Sequence, residues 1–266
     1  MITDQILAGR TALVTGASSG LGAATAIALA HHGAQVYVLG RNEEGLAATL
    51  KAMPTEGQAP GQMLVADFSQ PGAAAAAVER AASASGQIDI LVNNAAVFHS
   101  GTIAEQTPDM WREMFQVNVL SLLEASQSAI ACMRSQGTPG HIVNISSLSA
   151  RMDPGGAYGA SKAAVDKVSE QLRHELEGDD IRVVNIVPGA FSTNLGRNMT
   201  PEQLEGLMDA FQRVPTAPDA DGRTPLVGLP DDIARAVVFA VSQPININIG
   251  EMVVRPAMNT AVYRET

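Results

Sequence analysis

Short apolar runs alternate with longer helix-like patterns along most of the chain, and this alternation constrains the fold more than any other feature. The runs are rich in Val, Ile and Leu and do not alternate between apolar and polar residues, as a strand with one solvent-exposed face would. They therefore suit strands buried on both faces of a parallel sheet. Candidate strands lie at 11–15, 34–39, 62–66, 88–93, 141–146, 181–187 and 250–254. Candidate helices lie near 20–32, 42–52, 71–85, 108–135, 158–177 and 231–242.

This β-α-β-α order predicts an α/β fold, a doubly wound, Rossmann-type parallel sheet of about seven strands with helices on both faces. We expect one domain over residues 1–266, with an excursion at about 190–229 that the pattern does not place on the sheet. Long excursions in compact domains are usually functional or mobile. We therefore expect this segment to shape the substrate pocket.

Composition excludes several classes of protein. The chain has 266 residues, 46 % of them apolar, and a formal net charge of −10, which argues against binding to nucleic acid or to anionic membrane surfaces. Cys132 is the one cysteine, so no intrachain disulfide forms, which suits a reducing compartment. The N-terminus lacks a signal peptide's long apolar run, and no stretch of eighteen apolar residues would span a membrane. A cytoplasmic protein is expected.

The stretch "TGASSGLG" at residues 15–22 follows the first strand and opens the first helix. In one interpretation, Gly16 makes the tight turn while Gly20 and Gly22 let the backbone approach a pyrophosphate and let the helix pack closely. In the other, Gly16-Ala-Ser18-Ser-Gly20 is a G-x-S-x-G elbow with Ser18 as the nucleophile of a hydrolase. That elbow needs an acid and then a histidine later in the chain, and the last histidine is His174.

Tyr158-Gly-Ala-Ser-Lys162 is the most informative segment for the chemistry. Residues four apart on a helix share a face, so the phenol and the ammonium point the same way. A nearby cation favours phenolate and lowers the pKa of a tyrosine, which could then exchange a proton with an alcohol or ketone. Taken alone, a surface lysine beside a half-buried tyrosine would also explain the spacing.

Polar residues follow three of the predicted strands where those strands end. The strand at 141–146 runs into Ser146-Ser147, the strand at 88–93 runs into Asn93-Asn94, and the glycine turn follows the first strand. Ligands bind beyond the carboxyl ends of the strands in open parallel sheets. The turn, the polar strand ends and Tyr158 are therefore expected to face one crevice.

These motifs together resemble the short-chain dehydrogenase/reductase family. They occur in the family's order and cover about 11–193, roughly two thirds of the chain: Thr15-Gly16-x3-Gly20-x-Gly22, Asn93-Asn94-Ala95, Asn118, Ser146-Ser147, Tyr158-x3-Lys162 and Pro188-Gly189. The resemblance implies a nicotinamide-dependent oxidoreductase acting on a carbonyl or secondary alcohol. A non-catalytic NADP-binding sensor or scaffold remains the alternative, against which the intact Ser/Tyr/Lys set argues.

The resemblance also implies a role for each catalytic position. Tyr158 is expected to be the acid/base, and Lys162 to lower its pKa and to hold the nicotinamide ribose. The resemblance favours Ser147 over Ser146 as the hydroxyl that polarises the substrate carbonyl. Successive side chains of a strand point to opposite faces, so both cannot reach the same carbonyl unless the chain turns between them. Asn118 is expected to support a water path to Lys162.

The cofactor site follows from the same resemblance. Asn93 is expected to stabilise backbone beside the cofactor, Asp67 to lie where the adenine binds, and Thr193 to lie near the carboxamide. The full predicted set is Gly16, Ser18, Ser19, Gly20, Leu21, Gly22, Arg41, Asp67, Phe68, Asn94, Tyr158, Lys162, Pro188, Gly189 and Thr193. No His/Cys/acid cluster has metal-ligand spacing, so no metal is expected, and His99 is interpreted as a loop residue.

The second strand indicates which nicotinamide cofactor is used. NAD-binding folds of this type usually carry an acid at the end of this strand, on the ribose hydroxyl. Here the strand ends in Val38-Leu39-Gly40-Arg41, and a guanidinium suits a 2′-phosphate. NADP(H) is therefore favoured over NAD(H), although Glu43 and Glu44 follow closely and Ser19 stands where related NADP enzymes often carry a second cation.

Three features depart from the family's usual pattern. Ala96 replaces a commoner glycine, and the step from Ser147 to Tyr158 is eleven residues, two shorter than usual. The ending Ile247–Pro256 lacks the common V-D-G-G and is similar to a subset that includes NADP-dependent 3-hydroxy acid dehydrogenases and related ketone reductases. A small polar hydroxy acid or ketone is the expected substrate, and the family implies a homotetramer or homodimer through helices 108–135 and 158–177.

Overall fold

A single parallel sheet of seven strands forms the centre of the protein. The structure is a computed structural model that describes residues 5–54, 61–152, 155–191 and 228–256. The strands are β1 Thr11–Thr15, β2 Gln35–Gly40, β3 Gln62–Val65, β4 Ile90–Asn93, β5 Gly140–Ile145, β6 Ile181–Pro188 and β7 Glu251–Val254. Every neighbouring pair is parallel, and the predicted fold class is confirmed.

The helices connect the strands and lie on both faces of the sheet. Within the described ranges, the α-helices are α1 Gly20–His31, α2 Glu43–Lys51, α3 Ala73–Ser85, α4 Pro108–Phe115, α5 Ser121–Gln136, α6 Gly156–Glu175 and α7 Pro230–Val241. In the described part of the chain, no helix is long and apolar enough to cross a membrane. The excursion predicted at about 190–229 lies almost wholly outside the described residues.

Strand residues alternate between two hydrophobic cores rather than between a core and solvent. On β1, Ala12 and Val14 join the core that also includes α1, α2 and α7, whereas Leu13 joins the core that includes α3, α4, α5 and α6. All three side chains are fully buried. Burial on both faces explains why the strands are continuous apolar runs.

The strand order is β3-β2-β1-β4-β5-β6-β7, so the direction of winding reverses between β1 and β4. The two connections that leave the carboxyl ends of these strands turn to opposite faces and open a crevice between them. The glycine turn after β1 and the Asn93-Asn94 segment at the end of β4 both lie at this crevice. The fold thus places the predicted motifs at one edge of the sheet.

The predicted helix at 108–135 is interrupted, which is a correction to the sequence pattern. A π-helical turn, Gln116–Leu120, separates α4 from α5. Such turns insert an extra residue into a helix and often occur at functional sites. Here the turn contains Asn118, whose side chain is almost completely buried and turned toward the loop that follows β4.

Candidate active site

The glycine turn uses backbone conformations that glycine adopts easily. Gly16 and Gly20 have φ angles of +65° and +56°, in the left-handed region where a β-carbon is strained. A β-carbon on Gly16 would lie 2.8 Å from the Cα of Ala95, and one on Gly22 would collide with the Gly16 carbonyl. Gly22 therefore allows α1 to pack closely on the turn, and Gly16 allows the loop after β4 to pass against it.

The two asparagines at the end of β4 have different surroundings. The amide of Asn94 donates to the carbonyl oxygens of Thr15 and Gly16 at 2.9 and 3.2 Å, which fastens the glycine turn to this loop. Asn93 instead points to the opposite face and donates at 3.0 Å to the hydroxyl of Ser126 on α5. The last strand residue thus faces the helices and the next residue faces the crevice, and the expected role of Asn93 in stabilising backbone beside the cofactor stays a prediction.

The N-terminus of α1 is open toward the crevice. Ser19 is the N-cap in an extended conformation, its side chain caps no backbone N–H, and the first turn of the helix contains no acid. Free N–H groups and the positive end of the helix dipole favour an anion here.

Ser18 packs against Gly45 of α2, and no described histidine is hydrogen-bonded to it. The base that a nucleophilic serine needs is therefore missing among these residues.

Arg41 follows β2 and lies beside the glycine turn. The backbone N–H of Ala17 donates to the carbonyl of Leu39 at 3.1 Å, which joins the turn to the end of this strand. Arg41 is exposed and forms no ion pair with any residue that the structure describes. The nearest acids in sequence, Glu43 and Glu44, are exposed in the first turn of α2, so no carboxylate ends the strand itself.

The segment after β3 offers mainly backbone to a ligand. Phe68 is buried in the core beside α3, so its ring is not free to contact a cofactor. Asp67 is exposed, and its carboxylate accepts a hydrogen bond from the N–H of Ser69 at 3.1 Å. That bond shapes the turn and leaves one carboxylate oxygen available.

The two serines that follow β5 face different neighbours. Ser146 is buried, and its hydroxyl donates to the backbone carbonyl of Lys162 at 3.2 Å. Ser147 is half-buried, accepts a hydrogen bond from the N–H of Ser149 at 3.1 Å, and lies near enough to Tyr158 to lower the pKa of its phenol. Only the second hydroxyl therefore meets the phenol.

Tyr158 and Lys162 lie on one face of α6, and both are buried. The Lys162 ammonium lies 5.9 Å from the centre of the Tyr158 ring and donates to the backbone carbonyl of Ile145 at 2.8 Å. Burial raises the pKa of Tyr158 to about 12, against the opposing effect of the nearby Ser147 hydroxyl. Burial lowers the pKa of Lys162 to about 8, while the nearby charge of Asp166 opposes that shift.

The net shift of the Tyr158 pKa is upward because burial dominates it, and the expected lowering of that pKa by Lys162 stays a prediction. Both side chains are removed from water, and loss of hydration disfavours the charged form of each. The pKa of the phenol therefore rises and that of the ammonium falls. In this structure the phenol therefore carries its proton at neutral pH.

Asn118 connects the π-helical turn to the site. Its amide accepts from the N–H of Val97 at 2.8 Å and donates to the carbonyl of the same residue at 3.0 Å. It also donates to the Ser161 hydroxyl at 3.0 Å. Asn118 makes no direct hydrogen bond to Lys162, and its part in a water path remains a prediction.

An aromatic side chain that the motifs do not include lies against Tyr158. Phe98 meets its ring edge-on, with ring centres 5.2 Å apart and planes at 80°. Sixty residues separate the two in sequence, so no periodicity connects them. Beside it, His99 pairs with Glu113 of α4 at 2.8 Å, which fixes the loop that carries Phe98.

Pro188 and Gly189 end β6 at the same edge of the sheet. Pro188 pairs with Val254 of β7, and the N–H of Gly189 donates to the Val254 carbonyl at 2.8 Å. A β-carbon on Gly189 would lie 2.8 Å from the Cβ of Arg255. Thr193 lies outside the described residues. Within the described ranges, no group of three His, Cys, Asp or Glu could hold a metal ion.

Comparison with protein families gives a match that covers most of the chain. The short chain dehydrogenase family model matches residues 10–204. A protein of Staphylococcus saprophyticus described as an uncharacterized oxidoreductase is 34 % identical over 249 residues, which are 93 % of this chain and 97 % of that protein. The residues that the family model matches span the glycine turn, both serines and the Tyr158–Lys162 pair.

Solved structures share the fold. A 3-oxoacyl-(acyl-carrier-protein) reductase of Agrobacterium tumefaciens, determined with NADP bound, has a TM-score of 0.81 and 30 % identity, with 96 % of each chain covered. A dehydrogenase/reductase of Sinorhizobium meliloti has a TM-score of 0.79 and 30 % identity, with 97 % of this chain and 98 % of that chain covered. The hydrolase interpretation of Ser18 was wrong.

Proposed function

Because this chain belongs to the short-chain dehydrogenase/reductase family, it is an oxidoreductase, and we propose that it transfers a hydride between NADP(H) and a carbonyl or secondary alcohol, with Tyr158 as the acid/base. The contact of Ser147 and Tyr158, with Lys162 beside them, carries the proposal. A hydroxyl, a phenol and a cation meet at the carboxyl end of β5, where ligands of such sheets bind.

The protein's own groups supply the proton and stabilise charge in this proposal. A bound nicotinamide would supply or accept the hydride. The Tyr158 phenol, whose pKa is about 12, keeps its proton at neutral pH and can give it to the oxygen of a carbonyl under reduction. The Ser147 hydroxyl, which lies beside the same phenol, can donate to that oxygen as negative charge develops there.

Lys162 acts on the phenol rather than on the substrate. Its ammonium lies 5.9 Å from the ring centre and favours negative charge on the phenol oxygen once the proton has left. Its hydrogen bond to the Ile145 carbonyl holds the side chain in place. Asn118 donates a hydrogen bond to Ser161, the residue before Lys162, and accepts one from the loop after β4. It therefore holds this stretch of α6 against that loop.

The residues around the glycine turn fit a dinucleotide. The uncapped N-terminus of α1, with no acid in its first turn, suits a pyrophosphate. The exposed guanidinium of Arg41, beside a strand end without a carboxylate, suits a 2′-phosphate, since a guanidinium can bind phosphate in a bidentate manner. These two features support NADP(H) over NAD(H).

The substrate proposed is a small ketone or hydroxy acid. Phe98, edge-on to Tyr158, forms an apolar wall of the site, which suits a short carbon chain beside the reacting carbonyl. The structurally similar Agrobacterium protein is named as a reductase of 3-oxoacyl groups, a chemically related class. Thr193 and most of the segment 190–229, which lie outside the described residues, are proposed to complete the cofactor and substrate sites.

We further propose that the protein forms a homodimer or homotetramer through the helices at 108–135 and 158–177. Three large apolar side chains on the α4–α5 side are between 38 % and 47 % exposed, namely Phe115, Leu120 and Leu123. Exposed apolar surface of this kind often marks an interface. Light scattering of the wild type and of Leu123→Glu would test this, and the interface proposal predicts that the variant dissociates.

An assay of cofactor oxidation tests the proposed reaction. The purified protein is mixed with NADPH or NADH and a panel containing an aldehyde, a simple ketone, a β-keto ester and a β-keto thioester. We expect absorbance at the nicotinamide band to fall with at least one carbonyl, and to fall faster with NADPH. Cofactor binding without turnover across the panel, in both reaction directions, would contradict the proposal.

A further inference from the structure

The loop that leaves the Ser147 end of β5 is tied to two other elements by one arginine. Arg151 donates through Nε to Asp166 of α6 at 3.0 Å and through Nη1 to Glu251 of β7 at 3.0 Å. Its other terminal nitrogen donates to the second oxygen of Glu251. The guanidinium thus binds one carboxylate in a bidentate manner and bridges to the other, the geometry in which arginine–carboxylate pairs are most specific.

The bridge is partly shielded from water. The side chains of Arg151, Asp166 and Glu251 are 36 %, 21 % and 39 % exposed. The hydrogen bond from Arg151 lowers the pKa of Glu251, so the carboxylate stays charged over the whole neutral range. Asp166 is also bound to β6, because the side-chain amide of Asn185 donates a hydrogen bond to its other carboxylate oxygen at 2.7 Å.

The short turn between Ser147 and Arg151 links the position of the serine to the position of the arginine. Leu148–Ala150 form a 3₁₀ turn for which Ser147 is the N-cap. Within that turn, the N–H of Ala150 donates to the Ser147 carbonyl and the N–H of Arg151 to the Leu148 carbonyl. Because the turn is hydrogen-bonded from one end to the other, fixing Arg151 limits the positions open to Ser147.

Asp166 also ties the bridge to the residues of the reaction. It lies on α6 one turn beyond Lys162 and two turns beyond Tyr158. The bridge therefore fixes the serine's loop to the helix that carries the tyrosine and the lysine. Proton transfer and charge stabilisation depend on such placement, since a displacement of about 1 Å can cost ~100-fold in rate.

We propose that Arg151 is a positioning residue that holds the Ser147 hydroxyl against the Tyr158 phenol by joining their two segments to β7. This inference rests on the proposed function, in which Ser147 contacts the reacting oxygen. Arg151 itself touches neither the substrate nor the phenol. Its effect on turnover therefore passes through Ser147.

A double-mutant cycle tests this route. The variants are Arg151→Gln, Arg151→Lys, Ser147→Ala and the double variant Ser147→Ala/Arg151→Gln, with Glu251→Gln as a milder break in the bridge. Arg134→Gln is the matched control, because Arg134 also binds one carboxylate through two nitrogens, that of Asp179. That pair lies at the helix C-termini, at the opposite edge of the sheet from Ser147.

We expect Arg151→Gln to lower kcat by roughly 10- to 100-fold while the Kd for NADPH, measured by fluorescence, is unchanged. Arg151→Lys should lose less kcat than Arg151→Gln, and Arg134→Gln should keep the kcat of the wild type. In the Ser147→Ala background, Arg151→Gln should cause little further loss, because coupled residues are non-additive. Hydrogen exchange at the amides of residues 150 and 151 should speed up in Arg151→Gln, speed up less in Glu251→Gln, and stay unchanged in Arg134→Gln.

Two results would overturn the inference. One is a full additional loss in the double variant, which would mean that Arg151 acts independently of Ser147. The other is unchanged amide exchange in both Arg151→Gln and Glu251→Gln, a readout that needs no substrate and also applies if one variant folds poorly. If Ser147→Ala itself keeps wild-type turnover, the proposed function of the serine has failed instead.

Discussion

The adjacent hydroxyls of Ser146 and Ser147 should give opposite results when each is removed. Ser147 meets the Tyr158 phenol, whereas Ser146 is buried and donates to the backbone carbonyl of Lys162. We expect Ser147→Ala to lower kcat by about 100- to 1,000-fold, the effect of removing one donor from a developing oxyanion. We expect Ser146→Ala to leave kcat within the same order of magnitude.

The two variants should nevertheless lose similar amounts of stability. Ser146→Ala removes one buried hydrogen bond of 3.2 Å, which contributes about 0.5–1.5 kcal/mol. Ser147→Ala removes the acceptor for the Ser149 N–H, a cap whose loss costs about 1 kcal/mol. For a chain of this size either loss lowers Tm by roughly 2–4 °C per kcal/mol. A difference in stability therefore cannot explain a difference in turnover.

The assay measures kcat for the carbonyl that the wild type reduces fastest, after calorimetry and NADPH fluorescence titration of all three proteins. Equal cofactor affinity shows that a loss of turnover does not come from weaker binding of NADPH. If Ser146→Ala is the inactive variant, or if both variants keep wild-type turnover, the assignment of the polarising hydroxyl to Ser147 is refuted.

Two further predictions concern cofactor choice and pH. Arg41→Asp should lower the ratio of kcat/KM for NADPH to kcat/KM for NADH by at least ~10-fold, since charge-assisted hydrogen bonds contribute about 1.5–3 kcal/mol. Arg80→Asp on α3 makes the same charge change and serves as the control. An unchanged ratio in Arg41→Asp would mean that Arg41 does not contact the ribose. His141 of β5 is buried with neither ring nitrogen hydrogen-bonded among the described residues, and burial lowers its pKa from 6.5 to about 4. The charged form of His141 is disfavoured in the folded state, so the wild type should lose about 2 kcal/mol more stability than His141→Leu when the pH falls from 7 to 5. Urea unfolding of both proteins at both pH values measures this difference. The same pH dependence in the two proteins would contradict the prediction.

The sheet could be predicted from the sequence because buried parallel strands produce continuous apolar runs. All seven predicted strands are present, with ends that differ by at most two residues. The π-helical turn at Gln116–Leu120 could not be predicted in this way. Its local sequence is compatible with an ordinary helix, and the turn accompanies contacts of Asn118 with Val97, in a different part of the chain.

The sequence predicted which side chains of α6 lie together but not the direction of their pKa shifts. Helical spacing correctly placed Tyr158 and Lys162 on one face. The direction of the pKa shifts depends on burial by several distant segments, including the loop that carries Phe98, and spacing along one helix does not contain that information. The Arg151–Glu251 pair joins residues one hundred positions apart, beyond the reach of any local pattern.

The central claim is that the Tyr158 phenol supplies the proton in the reaction, and Tyr158→Phe tests it most directly. The substitution keeps the ring that packs against Phe98 and removes only the hydroxyl. Single-turnover reduction, followed after the Kd for NADPH has been shown to be unchanged, should slow by about 100- to 10,000-fold, the usual contribution of a general acid. A variant that binds NADPH normally and keeps more than half of the wild-type rate would contradict the account.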